Sequence, residues 1–466
     1  MAKDMTKGSP IKLLLLFTVP LLIGNLFQQL YSTVDTMVVG RYVGPHALAA
    51  VGSTGSMSFF VIGFAGGLMA GFSIIVSQNF GALQRDGAGD YNTIKHTVAT
   101  AIELTAIISA LVAGIMYFCT MPLLELLGTP ADIIDGAHTY IRTLFLGIIT
   151  SFYYNLGASL MRAVGDSKTP LYLLIVSSFL NIGMDLLFVI AFDWGIFGVA
   201  FATIIAQGIS AVLSLTVMFA KYKFLRPQRQ HWKPDFALIG RLLKLGVPNA
   251  FMNSITAVGS MVLQSVVNSF GSTVVAAHTA AMRVEQFAQL PGMTLGTAMA
   301  TYAGQNCGAK RFDRVREGVR KATWLTVGYH VFIGIVILCF GNFFTRLFVD
   351  TADAALMNDI MGYARTYQTV LAFTMISLGL LYLYRNALQG LGNPIVPFWS
   401  GVFEMIARTA VSLGLSQVIG YTGVCFGAPT AWLGAAIILV WGFFATMKKL
   451  EQQFALETAM GAIYVD

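Results

Sequence analysis

The sequence predicts an all-α integral membrane protein with twelve transmembrane helices in two six-helix bundles, arranged as parallel repeats. Three observations predict it. The 466 residues are 56% hydrophobic and only 11% charged, with a mean hydropathy of +0.71, whereas a soluble domain carries about 25% charge. The apolar residues fall in runs of 20–30, long enough to cross a hydrocarbon core about 30 Å thick. The second half of the chain repeats the first at an offset of 227–228 residues.

The twelve runs cover 11–39, 46–77, 93–120, 136–160, 169–192, 195–220, 240–268, 274–303, 318–340, 361–390, 394–418 and 423–447. They are too long and too often punctuated by glycine for the alternating strands of a membrane β-barrel. The start, Lys3 to Phe17, resembles a signal peptide, but no small-x-small cleavage site follows. The apolar run continues through Pro20 to Val39, which makes it the first span.

Basic residues set the predicted orientation. Twenty-two of the 29 Lys and Arg fall at the N-terminus, in alternate loops or after the last span. The opposite loops hold Arg41 and Arg346. This bias puts both termini in the cytoplasm. The net charge of +7 is then mostly topology. The seven basic residues from Lys221 to Lys244 read as a positive-inside connection between the halves, so no nucleic-acid partner is expected. The predicted organisation is an N-terminal lobe over 1–220, a basic linker over 221–239, a C-terminal lobe over 240–447 and a tail over 448–466. Cys119, Cys307, Cys339 and Cys425 are scattered and suggest neither a zinc site nor a disulfide frame.

The repeat is visible residue by residue. Gln78-Asn79-Phe80-Gly81-Ala82 recurs as Gln305-Asn306-Cys307-Gly308-Ala309, Pro20 as Pro248, and Gly165 and Pro170 as Gly392 and Pro397. Six spans is an even number, so both halves start on the same side and the repeats are parallel. Two such bundles are the architecture of an alternating-access carrier. Gly63, Gly67 and Gly71 recur every four residues and form a small-residue face for close helix packing. No phosphate-loop, HExxH or GxSxG segment occurs, so no enzyme is predicted.

Asp35 lies inside the first run, where a carboxylate costs roughly 2.5–3.5 kcal/mol on insertion scales and marks a functional position. Asn181 and Asp185 share a face of the fifth span at i, i+4, and Thr203 lies on the sixth. Counted from the span ends, Asp35, Asp185 and Thr203 each lie about 12 Å below the outer face, with Asn181 one turn deeper. These oxygens suit a small hard cation. Two carboxylates in a low dielectric also tend to share one proton. The plainer alternative is helix-to-helix adhesion by polar groups; the depth match of two acids favours an ion site. The second half places Leu263, Arg408 and Ser412 where the first has Asp35, Asn181 and Asp185. The ion site therefore belongs to the N-terminal half alone. Arg283, Glu285, Arg385, Glu404 and Arg408 form the second half's own charges, a structural network or substrate contacts, with Glu404 and Arg408 spaced to pair. Abundant Met and Phe suit a cavity for varied apolar cations, although most must simply pack or face lipid.

Several stretches together resemble the multidrug and toxic compound extrusion (MATE) family. They are Pro20 with Gln28 to Gly40, Ala47 to Gly52, Gln78-Asn79 with Gly81-Ala82, Arg162-Ala163-Val164-Gly165-Asp166, and Gln305-Asn306. The resemblance spans nearly the whole chain. It is similar to the DinF-like and MepA-like bacterial branch, whose helix 1 aspartate and helix 5 Asn-x3-Asp pair match Asp35, Asn181 and Asp185, with Thr203 as the helix 6 hydroxyl. The resemblance implies a proton or sodium site in the N-terminal lobe, with Na⁺ as the possible metal, and bending of helix 1 near Pro20. NorM-type members use acids in helices 7 and 10. Here Thr256 stands near the first of those places, and no acid lies between Leu371 and Gln389.

The expected function is secondary active efflux of amphipathic, often cationic, organic compounds in exchange for H⁺ or Na⁺, by a monomer in a bacterial plasma membrane. Lipids and small organic substrates are the expected partners, and no cofactor is expected beyond the coupling ion. The alternative is a flippase for lipid-linked or polysaccharide precursors, which needs a lateral gate and a strongly basic cavity. A receptor or enzyme is the weakest reading, since no extramembrane domain or catalytic set is evident.

Overall fold

The computed structural model describes residues 2–85, 90–349 and 353–463; the last three residues of the expected tail lie outside them. Every regular element among the described residues is helical. In the first half, α1 (Pro10–Val38) ends in a π-helical turn, Val39–Val43. Next come α2 (Pro45–Ser53), α3 (Gly55–Leu83), α4 (Tyr91–Leu126), α5 (Ile134–Leu146) and α6 (Ile148–Ala163). Helix α7 (Lys168–Leu186) also ends in a π-helical turn, Leu187–Ala191, before α8 (Gly195–Lys221). The second half has α9 (Phe236–Asn268), α10 (Ser272–Gly308), α11 (Phe312–Arg346), α12 (Ala354–Gly390), α13 (Ile395–Ile419), α14 (Tyr421–Cys425) and α15 (Gly427–Ile463).

Ten of the described helices are long and apolar enough to cross a membrane, and eleven if α5 and α6, bent by 49°, count as one span. The eighth predicted span, α10, is long enough at about 1.5 Å per residue but less apolar. It carries His278, Arg283, Glu285, Gln286 and Gln289. Three predicted spans prove discontinuous: the run 46–77 breaks between α2 and α3 at Thr54, the run 136–160 between α5 and α6 at Gly147, and the run 423–447 between α14 and α15 at Phe426. The predicted tail is helical as far as Ile463. Arg316 to Glu451 at 2.7 Å and Lys310 to Glu457 at 3.1 Å hold this polar continuation of α15 against the start of α11.

The chain separates into two compact units, Met1–Asp4 with Val19–Ala250, and Met5–Thr18 with Phe251–Asp466. Two of the three changes of unit fall next to an intrahelical proline; the third, between Asp4 and Met5, precedes α1. In α1 the change lies between Thr18 and Val19, beside Pro20; in α9 it follows Ala250, two residues past Pro248. A proline inside a helix removes one i→i−4 hydrogen bond and loosens the helix there.

Within the first unit, glycine governs how α3 meets α9. A Cβ on Gly71 would lie 2.4 Å from Gly246 Cα, and one on Gly67 would lie 2.5 Å from the Asn249 carbonyl oxygen. In lipid, hydrophobic burial does not drive helices together, so close backbone approach of this kind supplies the packing energy. The small-residue face of α3 is thus a helix contact.

The turn before α7 shows why Gly165 and Asp166 stand where they do. Gly165 has φ +85°, a conformation that costs other residues. Asp166 accepts hydrogen bonds from the backbone N–H groups of Lys168 and Thr169, capping α7. It also accepts from Lys221 Nζ at 2.8 Å and Tyr222 Oη at 2.6 Å, tying the end of α8 to the start of α7. Burial alone would raise this carboxyl. The bonds from Lys221, Thr169 and Tyr222 outweigh burial and hold its pKa at about 2.

Candidate functional site

Asp35 is four residues before the π-turn that ends α1, and Asp185 is two residues before the π-turn that ends α7. A π-turn interrupts the regular ladder and often accompanies a functional position. The two turns pack against each other. Val39 and Val189, one from each turn, join Ala47, Tyr140, Val199 and Ala200 in a small buried apolar cluster. Both acids thus lie beside a dry plug built from the ends of their own helices.

Asp185 is fully buried at 0% exposure and Asn181 at 2%, while Asp35 is half-buried. The carboxyls of Asp35 and Asp185 lie within hydrogen-bonding reach of each other. A bond between them requires a shared proton, since two carboxylates have only acceptors. No protein donor reaches Asp35 Oδ1 or either oxygen of Asp185, and neither side-chain polar atom of Asn181 has a protein partner. Buried polar atoms are normally hydrogen-bonded. Five orphaned atoms on three residues concentrate unmet hydrogen-bonding capacity at this place.

Tyr31 and Tyr140 lie near enough to feel the charge of both acids. Sequence reasoning missed these two phenols. Tyr31 stands at i−4 from Asp35, on the same helical face, a signal that was available. Tyr140 reaches the acids from α5, which no sequence spacing reveals.

Thr203 is buried on α8, which packs along α7. Its hydroxyl donates to the Val199 carbonyl at 3.0 Å, which leaves its oxygen able to accept. No hydrogen bond among the described residues joins it to Asn181 or the acids. Nor do the described residues hold a group of three or more His, Cys, Asp and Glu able to bind a metal ion. A cation at this place would rest on two carboxylates plus amide, hydroxyl and phenol oxygens, a donor set for hard ions only.

The charges of the second half are arranged differently. Glu404 lies between two arginines, with Arg385 Nη2 at 2.8 Å and Arg408 Nη2 at 2.6 Å. All three are at least 94% buried. Arg408 also donates to Ser260 Oγ at 2.8 Å. Glu285 accepts a hydrogen bond from the Tyr367 hydroxyl and feels the charge of Arg408. Two acids and two guanidinium groups balance, which reduces the cost of burying them in a span. Arg283 stands apart and donates to Gln286 Oε1 at 3.3 Å. The Gln305-Asn306 pair has a local task. Gln305 Oε1 accepts from Met5 N at 2.9 Å, and Asn306 Nδ2 donates to Met5 O at 3.1 Å, pinning the segment that leads into α1.

Comparison with known proteins bears on the family and the fold. The sequence profile of the MatE family matches residues 20–187 and 248–413, one match per half. The probable multidrug resistance protein YpnP of Bacillus subtilis is 30% identical, over 97% of this chain and 100% of its own. The probable multidrug resistance protein YoeA of the same organism is 29% identical, over 96% of each chain. A solved structure described as the outward-facing conformation of a multidrug resistance MATE family transporter shares the fold, with a TM-score of 0.86 at 21% identity, over 97% of this chain and 99% of that one. With a family profile matched in both halves and a full-length helical fold in common, this chain belongs to the MatE family of multi-pass membrane transporters and is not an enzyme.

Proposed function

We propose that this protein is an ion-coupled multidrug exporter. It exchanges amphipathic, often cationic, organic compounds for H⁺ or Na⁺ across a bacterial plasma membrane, with twelve spans and both termini in the cytoplasm. The protein acts as a monomer. The names of YpnP and YoeA support the substrate class, and the loop charge bias supports the orientation.

One observation carries the coupling. Asp35 and Asp185 face each other from different helices with no basic residue between them, and Asn181 offers its unpartnered amide beside them. Two such carboxylates repel strongly in a low dielectric. A proton or Na⁺ between them removes that repulsion and draws α1 toward α7; without it the helices are pushed apart. Pro20 gives α1 a weak point at which to bend in response. The ion therefore binds one conformation more tightly than the other. That differential affinity is what lets an ion gradient drive a second solute. The flippase reading needs a strongly basic cavity, and the first unit's buried site is acidic instead.

The test uses sealed proteoliposomes loaded with ethidium, with a pH gradient and a sodium gradient imposed separately. One gradient should drive efflux, which identifies the ion. Asp35→Asn should abolish driven efflux while the protein inserts and keeps its unfolding temperature. Undiminished efflux by that variant overturns the site assignment.

A further inference from the structure

Between α12 and α15 runs an apolar groove of about 780 Å³. Phe373, Ser377 and Leu380 line it from α12, and Leu433, Ile437 and Trp441 from α15. Several of these side chains are open to the outside: Phe373 and Trp441 are each 73% exposed, Ile437 62% and Leu433 56%. Both walls belong to one compact unit and to apolar spanning helices. The groove extends from Phe426 to Trp441, about 22 Å along the helix. That exceeds the roughly 15 Å depth of one leaflet's hydrocarbon.

The groove has a charged end. At 100° per residue, Leu433, Ile437, Trp441 and Lys448 fall within about 80° of one another on α15. Lys448 stands about 10 Å beyond Trp441 along the axis, and Lys449 flanks it. Both lysines are exposed, and neither has an ion-pair partner among the described residues. The neighbouring Glu451 is engaged by Arg316 at 2.7 Å. An apolar channel of leaflet depth, an amphipathic tryptophan at its rim and free ammonium groups about two turns past it match one kind of molecule in sequence. These are an acyl chain, a carbonyl region that the indole N–H can meet, and an anionic headgroup.

We infer that this groove is a binding site for an anionic phospholipid, with one acyl chain between α12 and α15 and the phosphate at Lys448 and Lys449. The site is separate from the acid pair of the first unit and does not depend on which ion is coupled. The lipid seals the apolar groove between the two helices, and it fixes the depth of α15 in the bilayer.

Native mass spectrometry of the purified full chain tests this, after exchange into mixed micelles with phosphatidylglycerol or phosphatidylcholine. Phosphatidylglycerol should be retained in preference. Each lysine near an anionic headgroup is worth about fivefold in binding, so K448Q/K449Q should lower its retention about 25-fold and leave phosphatidylcholine unchanged. Thr430→Trp, placed at an exposed groove-lining position, fills the apolar channel and should reduce retention of both lipids. Unfolding temperatures of the variants identify any that fail to fold, and K448Q/K449Q alters only exposed side chains. Equal retention of the two lipids, or no response to K448Q/K449Q, overturns the proposal. So does an unchanged lipid signal in Thr430→Trp with weakened ethidium binding, because the groove would then hold the transported compound.

Discussion

On α7 the residues at 181 and 185 are Asn and Asp; 227 positions later, on α13, they are Arg408 and Ser412. The helices are equivalent in the repeat, yet the chemistry differs. In the first half two carboxyls meet with no cation near them among the described residues, and five buried polar atoms of Asp35, Asn181 and Asp185 have no protein partner. In the second half Arg408 and Arg385 close on Glu404, and Tyr367 closes on Glu285. The first arrangement has no opposite charge beside it among the described residues; in the second, two acids and two guanidinium groups match in charge, although Arg385 Nε and Arg408 Nε have no protein partner. Under the proposed function, the first repeat supplies the responsive site and the second a fixed scaffold.

The contrast extends to the turns. Asp166 and Asn393 occupy equivalent positions, each after a glycine with positive φ, +85° at Gly165 and +82° at Gly392. Both cap the helix that follows: Asp166 accepts from Lys168 N and Thr169 N, and Asn393 from Ile395 N and Val396 N. Asp166 then reaches Lys221 and Tyr222, whereas Asn393 donates to Thr446 Oγ1 at 2.9 Å. The geometry of the joint is the same; only the first carries a charge.

The contrast can be broken at three levels. The largest effect should come from Asp185→Asn, which should abolish ion-driven efflux in proteoliposomes, while the equivalent Ser412→Ala should leave it intact. A comparable loss in both would dissolve the distinction between the halves. Next, Arg408→Leu should destabilise the protein by about 3–5 kcal/mol, because it leaves the two buried acids with a single guanidinium. Thermal unfolding in detergent reads that loss, and a shift no larger than that of an exposed Lys244→Leu control would show that the network is not self-balanced.

The smallest effect concerns the charged cap. Asp166 has a folded pKa of about 2 against an ordinary 3.8, so its stabilisation is present above about pH 4 and is lost as pH falls toward 2. Asp166→Asn keeps the cap and removes the charge, and it should cost about 1–2 kcal/mol at neutral pH. The gap in unfolding temperature between this variant and the native chain should narrow from pH 5 to pH 3. A gap that widens there would reverse the sign argued for Asp166.

Hydropathy made the helical membrane class legible, because a hydrocarbon core imposes long apolar runs on any chain that crosses it. The internal offset revealed the two halves, and single charges inside spans pointed to Asp35 and Asp185, since a buried charge is too costly to be incidental, with Asn181 one helical turn from Asp185. Glu404 and Arg408 were likewise within reach of a one-dimensional argument, being one helical turn apart. Other features were set by packing between elements distant in sequence. The facing of Asp35 and Asp185, Tyr140 beside them, the plug of Val39 and Val189, and the proximity of Arg385 to Glu404 all depend on which helices pack together. The breaks at Thr54 and Phe426 lie within continuous apolar runs, so hydropathy could not show them. Sequence alone determined which groups are expensive in a membrane; the tertiary structure decided which of them were given a partner, because a partner is a matter of distance between helices.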